Sequence, residues 1–263
     1  MMLLYMSIEI KKNKELVLDI PEFTCGNNPL GTHLNGYEML AHLNSFSFTA
    51  IIGKPGSGKT SLLISFLTGK GNKRIFRKVF DHIHLVMPKS SRESMKKNPF
   101  KNHSEDKMYK ELNFDSINTI YESFLSSSEK KETSFLILDD VGAVLKNVEI
   151  GKKLRHIINN RRHLKCQIVI LLQSFMTIPK EVRKLITNCF MFKPSKVEFE
   201  NFFDELFETK KYVALEILKL VYADTEDHPY IMLNVETQKM YRKFDEILIP
   251  DQVIKRYHPE RKI

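Results

Sequence analysis

Cysteine is scarce in this chain: Cys25, Cys166 and Cys189 are its three. An odd number with no C-x-x-C spacing argues against a disulfide framework and against a zinc site, and it suits a reducing compartment. Long apolar runs are missing too, so nothing in the sequence reads as a membrane span. The opening Met1–Met6 stretch is too short for a signal-peptide core and runs into Glu9, Lys11 and Lys12. There is no internal repeat. Aromatic residues do not interleave with basic ones, which argues against stacking of unpaired bases. These absences set aside the secreted, zinc-held and membrane-spanning classes and leave the expectation of a soluble intracellular protein.

What is present begins with charge. The 263 residues carry a formal net charge of +9, with 42% hydrophobic and 28% charged residues. That composition is ordinary for a folded chain. The basic balance, with a pI near 9.3, favours an acidic partner such as nucleic acid, although solvated lysine accounts for it equally well. Lys70–Arg74, Lys96-Lys97 and Lys255-Arg256 are basic clusters compatible with duplex backbone contact, each also readable as plain surface.

Short, continuous apolar runs alternate with helical patterns from Phe48 to about Leu206. The runs are Phe48–Ile52, His82–Met87, Phe135–Leu138, Ile168–Leu172 and Phe190–Phe192. Runs of this kind suit central parallel strands buried on both faces, joined by crossover helices. The expected architecture is a doubly wound α/β core over residues 45–207. An extension, 1–44, precedes it with short strand candidates, and a second, 208–263, follows with a helical pattern and a strand candidate at Tyr230–Val235. Ser126–Lys131 is polar and reads as a surface loop.

The octet Gly53-Lys54-Pro55-Gly56-Ser57-Gly58-Lys59-Thr60 matches G-x-x-x-x-G-K-[ST] at every fixed position. It sits between the Phe48–Ile52 run and a helical pattern from Ser61 to Leu67. Glycine lets the backbone turn tightly so that successive N–H groups face phosphate oxygens, and the following helix adds its positive end. Residues Gly53 to Ser61 would therefore cradle the phosphates of ATP. Lys59 would reach the β- and γ-phosphates, and the Thr60 hydroxyl would ligate Mg²⁺.

The Phe135–Leu138 run ends in Asp139-Asp140. An acid at a strand's C-terminal end holds Mg²⁺ in phosphate-loop enzymes, which assigns that role to Asp139. A second acid beside it suits polarising the water that attacks the γ-phosphorus, the role expected of Asp140. Asp139-Asp140-Val141-Gly142 also fits the D-x-x-G segment of GTPases. Those normally read guanine with N-K-x-D, whereas Asn72-Lys73 is followed here by Arg74-Ile75. The Ile168–Leu172 run ends at Gln173, whose amide can donate to a phosphate oxygen and accept from the attacking water. Arg161, Arg162 and Arg183 are candidates for a guanidinium that stabilises charge in the transition state, often across a subunit boundary.

These residues together resemble the FtsK–HerA superfamily of DNA-pumping ATPases, and within it the genome-packaging ATPases of poxviruses, related large double-stranded DNA viruses and virophages. The resemblance covers roughly Ser45 to Asp204. It rests on GKPGSGKT, the Val86–Arg92 segment, LILDD, Asn160-Arg161-Arg162-His163 leading into IVILLQS, and Ile178-Pro179-Lys180-Glu181-Val182-Arg183. It implies a homo-oligomeric ring of five or six subunits that threads double-stranded DNA through backbone contacts into a capsid, at viral assembly sites in the host cytoplasm or in the virion. By position it makes Lys59 and Thr60 the phosphate and magnesium residues, Asp139 the metal acid, Asp140 the base and Gln173 the sensor. Arg162 becomes the preferred finger, with Arg161 and Arg183 as alternatives. The superfamily's base is commonly Glu, and Asp140 is shorter. The resemblance also implies a parallel order of Phe190–Phe192, Phe48–Ile52, Ile168–Leu172, Phe135–Leu138 and His82–Met87, that is 5-1-4-3-2. A nucleotide or small-molecule kinase, or a nucleotide-binding switch without a motor, is the alternative for a phosphate loop on a chain this long.

Overall fold

The computed structural model describes residues 46–69, 75–93, 95, 98–207, 211–223, 228–243 and 245–248, and the backbone of 9–11, 17–19 and 31–33. The clusters at 70–74, 96–97 and 255–256, and Cys25, lie outside the described residues.

Five parallel strands form the centre: β4 (Phe48–Ile52), β5 (His82–Val86), β7 (Ser134–Asp139), β8 (Cys166–Leu172) and β9 (Asn188–Phe192). Their order across the sheet is β9-β4-β8-β7-β5. Phe48 lies opposite Ile168, Ile137 opposite Val169, and Ala50 opposite Cys189. The sheet is longer than this core. Beside β5 stands β6 (Met108–Tyr109). Beyond β9 run three antiparallel strands, β10 (Tyr230–Asn234), β11 (Lys239–Arg242) and β12 (Asp245–Leu248), and then β1 (Glu9–Lys11), which makes ten strands. β2 (Val17–Asp19) and β3 (Gly31–His33) pair apart from it. The strand candidate at Tyr230–Val235 is thus a direct continuation of the core sheet.

Side chains alternate along each strand, so the two faces have separate cores. Phe48, Ala50, Ile52, Ile168, Ile170, Leu172, Leu136 and Leu138 face one way. They meet the apolar stripes of α3 (Phe114–Glu129), α4 (Val148–Asn159), α6 (Lys196–Leu206) and α7 (Lys211–Tyr222). Ile51, Val169, Leu171, Ile137 and Phe190 face the other way, against Leu62, Leu63, Ile64 and Phe66 of α1 (Lys59–Thr68) and against Phe76 and Phe100. A strand covered on both faces reads as an unbroken apolar run, which is why these five were visible in the sequence.

One local expectation is corrected. Ser126–Glu129 is the last turn of α3, not loop. Ile117, Ile120, Phe124 and Ser127 recur at helical spacing and all four are buried, so a small serine extends the apolar stripe under a polar sequence. The other end of α3 is held by a capping box, in which Asn113 and Ser116 each accept the other's backbone N–H. Two short helices, α2 (Lys89–Glu93) and α5 (Lys180–Arg183), complete the described set.

Candidate active site

The phosphate loop is built where β4 ends. Gly53 donates its N–H to Leu172 O at 3.0 Å, which ties the loop's first residue to the end of β8. A Cβ on Gly53 would lie 2.6 Å from Ser57 Oγ and 2.7 Å from Phe192 Cβ, so the position takes only glycine. Gly58 opens α1 at φ 101°, a left-handed value that costs glycine nothing. Ser57 N–H closes the turn onto Lys54 O. The N–H groups at the start of α1 have no helical acceptor and carry the positive end of the helix dipole, so the loop is an anion cradle.

Lys59 Nζ folds back along this loop and donates to Gly53 O at 2.7 Å and Lys54 O at 3.0 Å. Burial lowers its pKa, against the opposing pull of Asp139 and then Asp140. Asp139 is buried at the end of β7, and burial pushes its carboxyl up to about 6 although the Lys59 charge pulls the other way. Asp140 follows on the surface in a left-handed conformation, φ 56°, with its N–H on Leu171 O at 3.3 Å. Aspartate tolerates that conformation better than most side chains, and the turn lifts the second carboxylate off the strand line.

Because β8 stands between β4 and β7, the acids lie one strand out from the loop and Gln173 emerges beside Gly53. Gln173 is exposed there. The fold thus brings Lys59, Thr60, Asp139, Asp140 and Gln173 to one edge of the sheet. Thr60 and Asp139 offer hard oxygen donors, the donor chemistry Mg²⁺ takes from phosphate-loop proteins, which bind it through few side chains.

Two of the three arginines, Arg161 and Arg162, are not brought to that edge. Arg161 precedes β8, and its Nε donates to Phe46 O at 3.0 Å and its Nη1 to Ile158 O at 3.0 Å. That fixes it beyond the opposite end of β4, about 23 Å from the loop by the rise of the seven residues from Phe46 to Gly53. Arg162 lies beside it, 74% exposed, with Glu236 at 3.7 Å. Arg183 is buried, its guanidinium 2.8 Å from Glu205 and over the ring of Phe175. The sequence did not single out Glu205, Glu236 or His228. His228 Nδ1 lies 3.0 Å from Ser57 O, a bond spanning 171 positions that no local motif signals.

A family model described as "Poxvirus A32 protein" matches residues 37–246. The chain belongs to that family. Among solved structures it is similar to B204 of Sulfolobus turreted icosahedral virus 2, described as a genome packaging NTPase in complex with ATP-gammaS. Identity is 16%, the match covers 74% of this chain and 95% of that one, and the TM-score is 0.52. B204 from Sulfolobus turreted icosahedral virus, described as the DNA-packaging ATPase, matches at 18% identity over 75% of this chain and 96% of that one, again with a TM-score of 0.52. At such identities the likeness speaks for the fold, the P-loop NTPase fold of packaging ATPases. Compared directly with individual curated protein sequences, the A32-family chain matches none. No described helix is long and apolar enough to cross a membrane.

Proposed function

We propose that this genome-packaging ATPase hydrolyses ATP at the edge formed by Gly53–Ser61, Asp139, Asp140 and Gln173, and that a ring of its subunits uses the hydrolysis to move duplex DNA into a capsid. The observation that carries the reading is the insertion of β8 between the loop strand and the acid strand. In this reading the insertion makes room for a water between Asp140 and the γ-phosphate, and Gln173 faces the same phosphate. GTPases and nucleotide kinases place the acid strand directly beside the loop strand and have no use for such a pair.

In this reading the loop amides and Lys59 hold the β- and γ-phosphates, with Lys59 exchanging its bonds to Gly53 O and Lys54 O for phosphate oxygens. Thr60 and Asp139 would hold Mg²⁺, which supplies neutralising charge to the phosphates. Asp140 accepts a proton from the attacking water and Gln173 orients it. Arg161 and Arg162 lie more than a strand's length from their own subunit's loop, so either serves as a finger only for a neighbour. Arg162, the more exposed, is preferred. Arg183 remains the third candidate, and its pairing with Glu205 would have to open first. Residues 45–207 then form the motor, with 1–44 and 208–263 as additions to it, acting at sites of virus assembly or in the virion. DNA contact is through the phosphate backbone and independent of sequence.

The test is ATP turnover by purified protein, with and without duplex DNA, across a salt series. The motor reading expects stimulation by any duplex sequence, fading steeply as salt rises. Turnover indifferent to DNA at every salt concentration removes the motor. Transfer of the γ-phosphate to an acceptor other than water would establish the kinase instead.

A further inference from the structure

The γ-phosphate end of the site is fixed on one side of β4, by Gln173 after β8 and Asp139-Asp140 after β7. A nucleotide lying across this edge must carry its nucleoside the other way, over β9 and β10. A cavity of about 410 Å³ stands there, lined by the loop from Lys54 to Ser57, by Phe192, Lys193, Pro194 and Ser195 after β9, and by His228 and Pro229 before β10. That volume lies within the usual range of small-ligand sites. Phe192 is buried, its ring centroid 5.0 Å from that of Tyr230. Lys54 and Lys193 stand exposed at the rim. Ser57, one of the lining residues, has a buried Oγ with no hydrogen-bond partner among the described residues.

His228 gives the cavity a chemical preference. Its Nδ1 lies 3.0 Å from Ser57 O. A carbonyl only accepts, so Nδ1 carries the proton, and in the neutral ring Nε2 is left as an acceptor. An acceptor matches an exocyclic amine and opposes a carbonyl oxygen, since two lone pairs would then face each other.

Resting on the ATPase reading above, we propose that this cavity is the nucleobase subsite, and that His228 Nε2 selects a 6-amino purine over a 6-oxo purine. The same side chain braces the phosphate loop through Ser57, so base and phosphate recognition share one residue.

The experiment compares binding of ATP, inosine triphosphate and inorganic tripolyphosphate to the full chain and to His228→Phe, by titration calorimetry. ATP and inosine triphosphate differ in the group at purine position 6 and in N1, an acceptor in adenine and an N–H donor in hypoxanthine, so the preference for ATP appears only if Nε2 faces position 6. The unaltered chain should bind ATP about tenfold tighter, the effect of one neutral hydrogen bond gained or left unmade. His228→Phe should bind both nucleotides equally, whatever affinity it loses in common with tripolyphosphate through the unbraced loop. Equal affinity for the two nucleotides in the unaltered chain, or a preference that survives in His228→Phe, overturns the proposal. If His228→Phe also loses tripolyphosphate, Pro194→Trp decides, because it fills the cavity and keeps both partners of the His228–Ser57 bond. ATP weakened at least tenfold with tripolyphosphate intact supports the subsite, and ATP bound at its original strength overturns it. An unaltered chain that binds neither ATP nor tripolyphosphate would sink the ATPase reading itself, a result distinct from the loss of base preference.

Discussion

At the C-terminal edge of the sheet, Lys59 is half-buried and Asp139 buried, and Lys59 gives its hydrogen bonds to loop carbonyls instead of to the carboxylate. At the opposite edge, Arg161 is satisfied by Phe46 O and Ile158 O, and Glu236 stands near both it and Arg162. The first edge holds charge under strain, with the Lys59 pKa lowered and the Asp139 pKa raised by burial. The second holds charge that is matched by partners, although burial lowers the Arg161 pKa as well. Strained, desolvated charge is what a phosphate-binding site needs, because a polyanion relieves it on arrival. A resting guanidinium near the surface is what a finger needs, because its work is done elsewhere.

Mixing experiments test whether the two edges meet between subunits, and they carry the largest expected effects. Lys59→Ala should abolish hydrolysis and greatly weaken ATP binding. Arg162→Ala should bind ATP and lose about three to five orders of magnitude in turnover. Combined, the two proteins should recover activity, because a mixed ring places an intact loop next to an intact finger. No recovery at any ratio, in rings shown to exchange subunits, removes Arg162 as a trans finger and directs the same test to Arg161 and Arg183.

Asp140→Asn isolates one function within the strained edge. Affinity for ATP should hold, since Lys59, Thr60 and Asp139 are untouched, while turnover falls by about two to four orders of magnitude. Near-normal turnover would show that Asp140 is not the base.

Arg183 sharpens the contrast between resting charges. With its guanidinium and Glu205 both largely buried, Arg183→Ala should cost about 3–5 kcal/mol of stability by leaving a buried carboxylate alone. Arg162→Ala should change stability by less than about 0.5 kcal/mol, as an exposed side chain does. Urea denaturation of the two variants measures both. Equal stabilities would mean that the Arg183–Glu205 pair holds nothing in place.

The loop, the acids and Gln173 were legible because each is fixed by a local rule: glycine spacing, a carboxylate at a strand end, an amide at the next. The order of the central strands was legible only through family resemblance, since short apolar runs do not name their neighbours. The same ambiguity hid the antiparallel strands β10–β12, of which only Tyr230–Val235 read as a strand. Ser127 was hidden by its polarity, though it occupies a buried helical position. Arg162 was set ahead of Arg183 by resemblance alone, because a sequence displays a charge and not its partner. His228 carried no signal at all, for its bond to Ser57 exists only once β10 lies beside β9.

The smallest expected effect measures the strain at the first edge directly. Burial raises the Asp139 carboxyl from an ordinary 3.8 to about 6. Between those values the folded chain keeps a proton that the unfolded chain has released, so this group's contribution is fully present below about pH 4 and is lost as pH rises through 6. At about 1.4 kcal/mol per unit, the loss approaches 3 kcal/mol by neutral pH. Asp139→Asn has the same shape and no proton to lose. In metal-free buffer, the stability of the unaltered chain relative to Asp139→Asn should therefore fall by up to about 3 kcal/mol from pH 4 to pH 7.5. Taking the difference between the two proteins cancels the titrating groups that do not interact with Asp139. A flat difference would mean that the carboxylate is already compensated by Lys59, and the edge would then hold a settled ion pair like those at the other end of the sheet.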